Sequence, residues 1–156
     1  MGISSISIVE EIAKEITAKS DVECNFYQSA EDVPEPRELN SEKRNLMVFD
    51  DLLLEKQNTC ESCYVRGRHS NVDCFYLAQN YFKLPRQTVR ENANFICMFP
   101  LDVKNLNHIF DDHVGSDMTK VEFRQLCKVA KQHGFVIIDL SSKKNNGQYR
   151  SGLDEV

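Results

Sequence analysis

Two adjacent carboxylates, Asp50 and Asp51, follow directly after the uncharged, mostly apolar run Asn45–Phe49. An apolar run of this length, bounded by polar residues, predicts a strand that is buried on both faces. Open α/β sheets bind ligands in the crevice beyond the carboxyl ends of their strands, which is where these two side chains would lie. The pattern is that of a Walker B strand, in which the first acid holds Mg²⁺ near a nucleotide and the next orients the attacking water. The alternative is a strand that ends in a solvated turn.

A polar side chain, Gln79, ends the next strand-like run, Val72–Ala78. Because neighbouring strand ends point into one crevice of a doubly wound sheet, we expect Gln79 to lie near Asp50 and Asp51. Two carboxylates and an amide suit phosphoryl transfer, since a neutral amide can contact a γ-phosphate oxygen or the attacking water. Without Asp50 and Asp51, a polar turn residue would be the favoured interpretation of Gln79.

Four arginines are candidates for contacts with a neighbouring subunit or with DNA. Arg66 and Arg68 precede the strand that ends at Gln79, so we expect them at the opposite end of the sheet. There they could reach the nucleotide of a neighbour in a ring, as an arginine finger in trans, or form a solvated basic turn. Arg86 and Arg90 flank the short helix after Gln79, and they are rivals for the same role or for DNA contact.

The spacing Cys60-x-x-Cys63, with His69 and Cys74 nearby, resembles part of a zinc site. A structural zinc site needs four converging ligands, usually from two knuckles. The sequence has no second C-x-x-C, and Cys74 lies inside a strand pattern. Zinc is therefore the less favoured interpretation of these cysteines.

Length and composition predict one ordinary globular domain over residues 1–156, with an exposed loop at 28–44 and a polar tail at 141–156. The net charge of −5 excludes nonspecific binding of nucleic acid by the chain as a whole. We find neither a signal-peptide pattern nor an apolar run long enough to span a membrane. Together with cysteines in apolar patterns, this predicts a reduced, intracellular protein rather than a secreted one.

The apolar periodicity predicts strands that alternate with helices, which favours a mainly parallel α/β sheet. Gly67 is expected to end one helix in a left-handed cap. Thr119 and Glu122 form a capping box at the start of another. The predicted helices cover residues 3–19, 55–66, 102–113 and 119–133. The predicted strands cover 22–27, 45–50, 72–78, 95–99 and 135–140. Four polar residues of the third helix are expected to be solvated: His108, Asp111, Asp112 and His113.

Five blocks of the sequence, which include Asp50, Asp51, Arg66, Gln79 and Arg90, together resemble the C-terminal half of a genome-packaging ATPase of the FtsK–HerA superfamily. The resemblance is to the poxvirus-type enzyme, which also occurs in other large DNA viruses and in Maverick/Polinton self-synthesising transposons. Five blocks carry it, in order: Asn45–Asp51, Arg66–Val72, Phe75–Phe82, Leu84–Asn92 and Asn94–Ile96.

The resemblance implies a partial RecA-like ASCE P-loop NTPase sheet, mainly parallel, with helices on both faces. It implies ATP and Mg²⁺ as cofactors, and a homo-oligomeric ring that moves double-stranded DNA through a capsid portal, without a membrane partner. The location it implies is the host cytoplasm, the host nucleus or the virion. Asp50 matches the Mg²⁺ ligand acting through water, Asp51 the catalytic base, and Gln79 the polar sensor. Arg66 or Arg68 matches the trans finger.

The chain departs from this family because it contains no P-loop. Its G-x-x-x-x-G match, Gly147–Gly152, is followed by Leu153 where Lys is required. We therefore expect the chain alone to bind ATP poorly and to hydrolyse little or none. The alternative is a catalytically inactive relic or scaffold α/β domain of a viral or transposon-derived gene. A sheet without its P-loop strand should also show an exposed apolar edge and marginal stability.

Overall fold

The computed structural model describes residues 5–29, 31–52, 57–129, 134–144, 146–152 and 154–155. Contacts divide the chain into two compact units, Met1–Pro34 and Glu35–Val156. None of the helices in the described ranges is both long and apolar enough to cross a membrane.

The first unit contains one helix, α1 (Ser5–Lys19). Ile12 and Ile16 lie on its predicted apolar face and are exposed. The strand predicted over residues 22–27 was wrong, because this stretch has no regular structure. A strand depends on hydrogen bonds to a neighbouring strand, and the two sheets of the described chain do not include this segment.

The second unit begins with a two-stranded parallel sheet of β1 (Asn45–Asp50) and β2 (Val72–Leu77). Helix α2 (Asn58–Arg66) lies between them in sequence, as a parallel pair requires. Phe49 is buried on the inner face of β1, and α2 buries Cys60 and Cys63. A 3₁₀ turn, Gly67–Ser70, leads from α2 to β2.

The other face of this parallel sheet is exposed, so the prediction of a β1 strand buried on both faces was wrong. Side chains alternate along each strand, and apart from Asp50 and Asp73 those that point away from α2 are apolar yet more than half exposed. They are Leu46, Val48, Phe75 and Leu77. We call this set the open face. These residues lie on a sheet face, whereas the exposed apolar surface expected from the sequence lay at a sheet edge.

A second sheet has four antiparallel strands in sequential order. Its core packs Met98, Val136 and Ile138 against the helical residues Ile109 and Phe123. The strands are β3 (Phe95–Met98), β4 (Val136–Asp139), β5 (Tyr149–Ser151) and β6 (Asp154–Glu155). The helices between β3 and β4 are α3 (Val103–Ile109), which continues into a π-helical turn (Phe110–Val114), and α4 (Lys120–Val129).

The mixed α/β class is therefore confirmed, but the mainly parallel arrangement is not, because among the strands of the described residues only β1 and β2 run parallel. Strands β3 and β4 pair antiparallel, with Phe95 opposite Asp139 and Met98 opposite Val136. A single crossover helix returns the chain to the end of the sheet where the preceding strand began, so the next strand runs parallel. Two helices in succession, such as α3 and α4, can leave the chain at the opposite end of the sheet, so the next strand runs antiparallel. The alternation of strands and helices in the sequence did not distinguish these two connections.

The helix-end predictions had mixed outcomes. The Thr119–Glu122 capping box is confirmed: the Thr119 N–H donates to Glu122 Oε2 at 2.7 Å, and the Glu122 N–H donates to Thr119 Oγ1 at 3.3 Å. The left-handed cap at Gly67 was wrong, since its φ is −55° and the left-handed residue is Asn71, with φ 55°. Residues 3–4, 55–56 and 130–133, which the predicted helices included, lie outside the described residues, as does Leu153.

Candidate functional site

Asp50, Asp51 and Gln79 come to the same edge of the parallel sheet. Asp50 is the last residue of β1 and aligns with Leu77, the last residue of β2. Asp51 and Gln79 follow these strand ends, and all three polar side chains are exposed. The parallel register therefore confirms that these residues belong to neighbouring strand ends, as the spacing predicted.

The backbone of Asp51 has an unusual conformation. Its φ is 50°, and apart from Asn71 it is the one non-glycine residue with positive φ in the described ranges. Its N–H donates to the carbonyl oxygen of Leu77 at 3.0 Å, so the turn continues the ladder one residue beyond β1. Short polar residues tolerate this left-handed region better than most, although at some cost in energy. The turn fixes the direction in which the chain leaves the sheet, directly after Asp50.

Tyr76 lies on the inner face of β2, near the acidic edge. Its Oη donates a 3.3 Å hydrogen bond to Gln57 Oε1, next to the start of α2. Burial raises the pKa of Tyr76 to about 12, and the charges of Cys60 and Asp51 add to the effect. The phenol is therefore neutral at physiological pH and links α2 to the strand that carries Gln79.

A capping interaction follows directly after Gln79. The Asn80 Oδ1 accepts a 3.2 Å hydrogen bond from the Phe82 N–H and begins the 3₁₀ turn Tyr81–Lys83. This turn redirects the chain at the strand end, because an Asn side chain can satisfy a backbone donor that would otherwise lack a partner. Gln79 itself stays exposed at the edge, where a ligand can reach its amide.

The donor set at this edge suits a Mg²⁺ ion that is also bound by phosphate and water. Proteins usually hold Mg²⁺ with one or two carboxylates and leave its other positions to substrate oxygens and water. Asp50 and Asp51 fit that pattern. A metal held by protein ligands alone is not supported, because within the described ranges no three His, Cys, Asp or Glu side chains converge on one point. The phosphate cradle that ATP would require does not fit any segment of the sequence.

Arg66 and Arg68 lie at the opposite end of the parallel sheet, as the sequence predicted. Arg66 ends α2, Arg68 belongs to the 3₁₀ turn before β2, and both are exposed. The buried Gly67 between them packs against the start of β2, where an added Cβ would lie 3.1 Å from the carbonyl oxygen of Val72. The turn thus holds two exposed arginines away from the acidic edge of their own chain.

Arg86 and Arg90 differ sharply in the exposure of their side chains, although both lie on the π-helical turn Arg86–Arg90. The Arg86 side chain is 66% exposed, whereas that of Arg90 is 9% exposed. Arg90 NH1 donates to Asp112 Oδ2 at 2.6 Å, and its guanidinium lies 5.2 Å from the Tyr81 ring centre. Arg90 is thus occupied within its own chain, which leaves Arg86 as the accessible member of this pair.

Asp112 and His113 form a half-buried network with Tyr81, whereas the sequence predicted two solvated residues. Tyr81 Oη donates to Asp112 Oδ2 at 3.0 Å and lies 2.7 Å from His113 Nε2. The phenol has one proton, so His113 Nε2 must be the donor in its contact with Tyr81. Burial lowers the pKa of His113, the Arg90 charge adds to this effect, and the Asp112 charge opposes it. The imidazole is therefore neutral at physiological pH.

His108 also differs from its prediction. Its ring stacks on Phe82, with ring centres 4.3 Å apart. Asp111 is exposed as expected, and it forms a 2.8 Å ion pair with Lys120. The expectation that Asp112 and His113 are solvated was wrong because both lie in the π-helical turn from Phe110, where the winding changes which residues face the core.

A shallow pocket of about 380 Å³ opens beside this network. It is lined by acceptor-rich side chains, among them Glu91, Asn94, Asp112, His113 and Ser141. Arg86 lies between two of its carboxylates, 3.5 Å from Glu91 and 4.0 Å from Asp112. None of the residues expected to bind Mg²⁺ or the nucleotide lines this pocket.

Comparison of the chain with protein-family models, curated proteins and solved structures returned no significant match. The resemblance to packaging ATPases consequently depends on the five sequence blocks alone.

Proposed function

We propose that the chain supplies the magnesium and water half of an ATP site of the packaging-ATPase type and does not turn over ATP by itself. The proposal depends on one observation: Asp50 and Asp51 end one strand while Gln79 follows the end of its parallel neighbour. In this role Asp50 holds Mg²⁺ through water, Asp51 orients or deprotonates the attacking water, and Gln79 contacts the γ-phosphate region.

The charge at the edge is consistent with this division of roles. Two adjacent carboxylates repel each other, and a divalent cation that bridges to phosphate relieves this repulsion. Both side chains are exposed, so hydrated Mg²⁺ can approach without displacing protein groups. A sequence without a P-loop lacks the backbone N–H cradle that supplies most nucleotide affinity. We therefore expect weak binding and negligible hydrolysis.

The ring and DNA roles of the family complete the proposal. Arg66 and Arg68 lie at the end of the sheet remote from Asp50, so in this chain they are available to a neighbouring subunit's nucleotide. Arg86 remains available for DNA or for a neighbour, whereas Arg90 is held by Asp112. The proposed assembly is a homo-oligomeric ring that acts on double-stranded DNA at a capsid portal.

A second candidate function is a non-catalytic scaffold that has kept an α/β fold. The open face favours it, because parallel sheets in working enzymes are usually covered on both faces. The antiparallel second sheet also differs from the mainly parallel sheet that the motor family implies.

Calorimetry with Mg²⁺-ATP separates the two functions. If the edge is half of an ATP site, millimolar nucleotide gives measurable heat, and Asp50→Ala abolishes it. A matched control is Asp73→Ala, which removes an exposed aspartate from the other end of β2 and should leave the heat unchanged. If the native chain gives no heat at millimolar ATP, the ATP-site proposal is wrong and the scaffold function is favoured.

A further inference from the structure

Three cysteines lie in the layer between α2 and β2. Cys60 and Cys63 belong to α2, and each is 2% exposed. Cys74 occupies the inner face of β2, together with Val72 and Tyr76, while the alternate residues of that strand are exposed. All three are free thiols in the structure.

Two contacts fix how the helix lies over the strand. At one end, Gly67 packs on Val72, where an added Cβ would lie 3.3 Å from the Val72 Cβ. At the other end, Gln57 accepts the hydrogen bond from Tyr76 Oη at 3.3 Å. The end of α2 thus lies at the start of β2, and the start of α2 lies near the end of β2. Helix α2 and strand β2 therefore run in opposite directions.

This register places Cys63 opposite Cys74. Going back one helical turn from Gly67 to Cys63 covers about 6 Å. Going forward from Val72 to the next inward residue, Cys74, covers about 6.6 Å. The two thiols therefore face each other in the layer between α2 and β2. Cys60 lies almost one turn further along the helix, away from Gly67.

The contact makes the two thiols chemically unequal. The hydrogen bond from Cys63 lowers the pKa of Cys74. The same bond, followed by burial, raises the pKa of Cys63. Burial raises the pKa of Cys60 to about 12. Since the thiolate is the reactive form, Cys74 is the nucleophile of the three, and it is also less buried than the other two.

We propose that Cys63 and Cys74 form a redox-active pair that closes to a disulfide between α2 and β2, with a small-molecule disulfide of the glutathione type as oxidant. The Cys74 thiolate attacks one sulfur of the oxidant and releases one glutathione thiolate. Cys63 then attacks the Cys74 sulfur of the mixed disulfide and releases the second glutathione. The two protons pass to the released thiolates, so two protein thiols are oxidised and one glutathione disulfide is reduced to two thiols.

The crosslink would join the last turns of α2 to the start of β2. Gly67 and its flanking residues, Arg66 and Arg68, lie just beyond Cys63 in this connection. Oxidation would thus restrict the motion of the turn that carries the exposed residues Arg66 and Arg68. The pair does not depend on the proposed ATP site, because none of its contacts involves Asp50 or Gln79.

The test is to expose the native, folded chain to glutathione disulfide and then unfold it in denaturant that contains iodoacetamide, so that every remaining thiol is alkylated. The peptides are then mapped by mass spectrometry. The chain has six cysteines, so closure of one disulfide leaves four alkylated (6 − 2 = 4). We expect a single linked peptide pair that contains Cys63 and Cys74, and its loss after addition of dithiothreitol.

Two variants sharpen the result. Cys60→Ser removes the other buried thiol of α2 and should leave the link unchanged, whereas Cys74→Ser should leave all five remaining cysteines alkylated (6 − 1 = 5). A link that involves Cys60, or complete alkylation of Cys63 and Cys74 in the oxidised native chain, would overturn the proposal. The decisive mapping uses the unmodified protein, so it does not depend on whether a variant folds.

Discussion

The backbone N–H of Asp51 donates a 3.0 Å hydrogen bond to the carbonyl oxygen of Leu77. This bond extends the parallel ladder one residue beyond β1, and it sets the end of β1 level with the end of β2. Asp50 and Asp51 consequently emerge at the same edge as Gln79, which lies two residues beyond Leu77. The proposed function depends on this alignment.

The buried ion pair between Arg90 and Asp112 should be important for stability. We expect Arg90→Ala to lower the free energy of unfolding by about 3–5 kcal/mol, because it leaves a half-buried carboxylate without its cation. Urea denaturation monitored by circular dichroism measures this change.

Arg86→Ala is the matched control, since Arg86 lies on the same turn and near the same carboxylate but is 66% exposed. Its effect should stay within about 1 kcal/mol. Equal effects of the two substitutions would show that the Arg90 pair has no special role.

The network around His113 should make stability depend on pH. The folded-state pKa of His113 lies below its ordinary value of 6.5, so the unfolded chain binds a proton first as the pH falls. The contribution of neutral His113 to the free energy of unfolding is therefore fully present above pH 6.5, and it is lost as the pH falls through the folded pKa.

Urea denaturation of the native chain and of His113→Gln, from about pH 8 to about pH 5, measures this effect. Relative to the variant, the native chain should lose stability towards the acidic end. The opposite slope, or parallel curves, would mean that His113 is not held neutral by its surroundings.

The open face should contribute little to the stability of the isolated chain. Phe75, which is 59% exposed, should tolerate Phe75→Thr with a change of about 0.5 kcal/mol or less in the free energy of unfolding. The same substitution should reduce the binding of a hydrophobic dye, because it removes an aromatic ring from exposed apolar surface.

Phe49→Ala, on the inner face of the same sheet, is the contrasting variant. Phe49 is 4% exposed, so we expect a loss of about 3–5 kcal/mol. If Phe75→Thr destabilised the chain as strongly as Phe49→Ala, the open face would have to be covered in solution.

The local patterns of the sequence predicted the acidic edge well, because strand ends follow from short-range signals. A run of apolar residues that stops at Asp50, and another that stops before Gln79, fixed both boundaries to within a residue or two. The capping box at Thr119 was predictable for the same reason, since both of its hydrogen bonds join residues three positions apart.

Long-range relationships were not predictable in the same way. The antiparallel pairing of β3 with β4 depends on how two consecutive helices pack, which residue periodicity does not encode. The burial of Asp112 depends on Arg90 and Tyr81, which lie 22 and 31 positions away in sequence. An Asp–Asp–His run on a helix is typical of a solvated surface unless such partners are known. The π-helical turns over Arg86–Arg90 and Phe110–Val114, which place these side chains together, left no recognisable signal.

Asp50 and its neighbours are proposed to form the magnesium side of a nucleotide site. The most direct measurement is the broadening of backbone amide signals in NMR spectra by paramagnetic Mn²⁺-ATP, which replaces Mg²⁺-ATP. We expect the strongest broadening at Asp50, Asp51 and Gln79. This broadening should be lost in Asp50→Asn and kept in Asp73→Asn. Broadening spread evenly over the exposed carboxylates, or unchanged by Asp50→Asn, would contradict it.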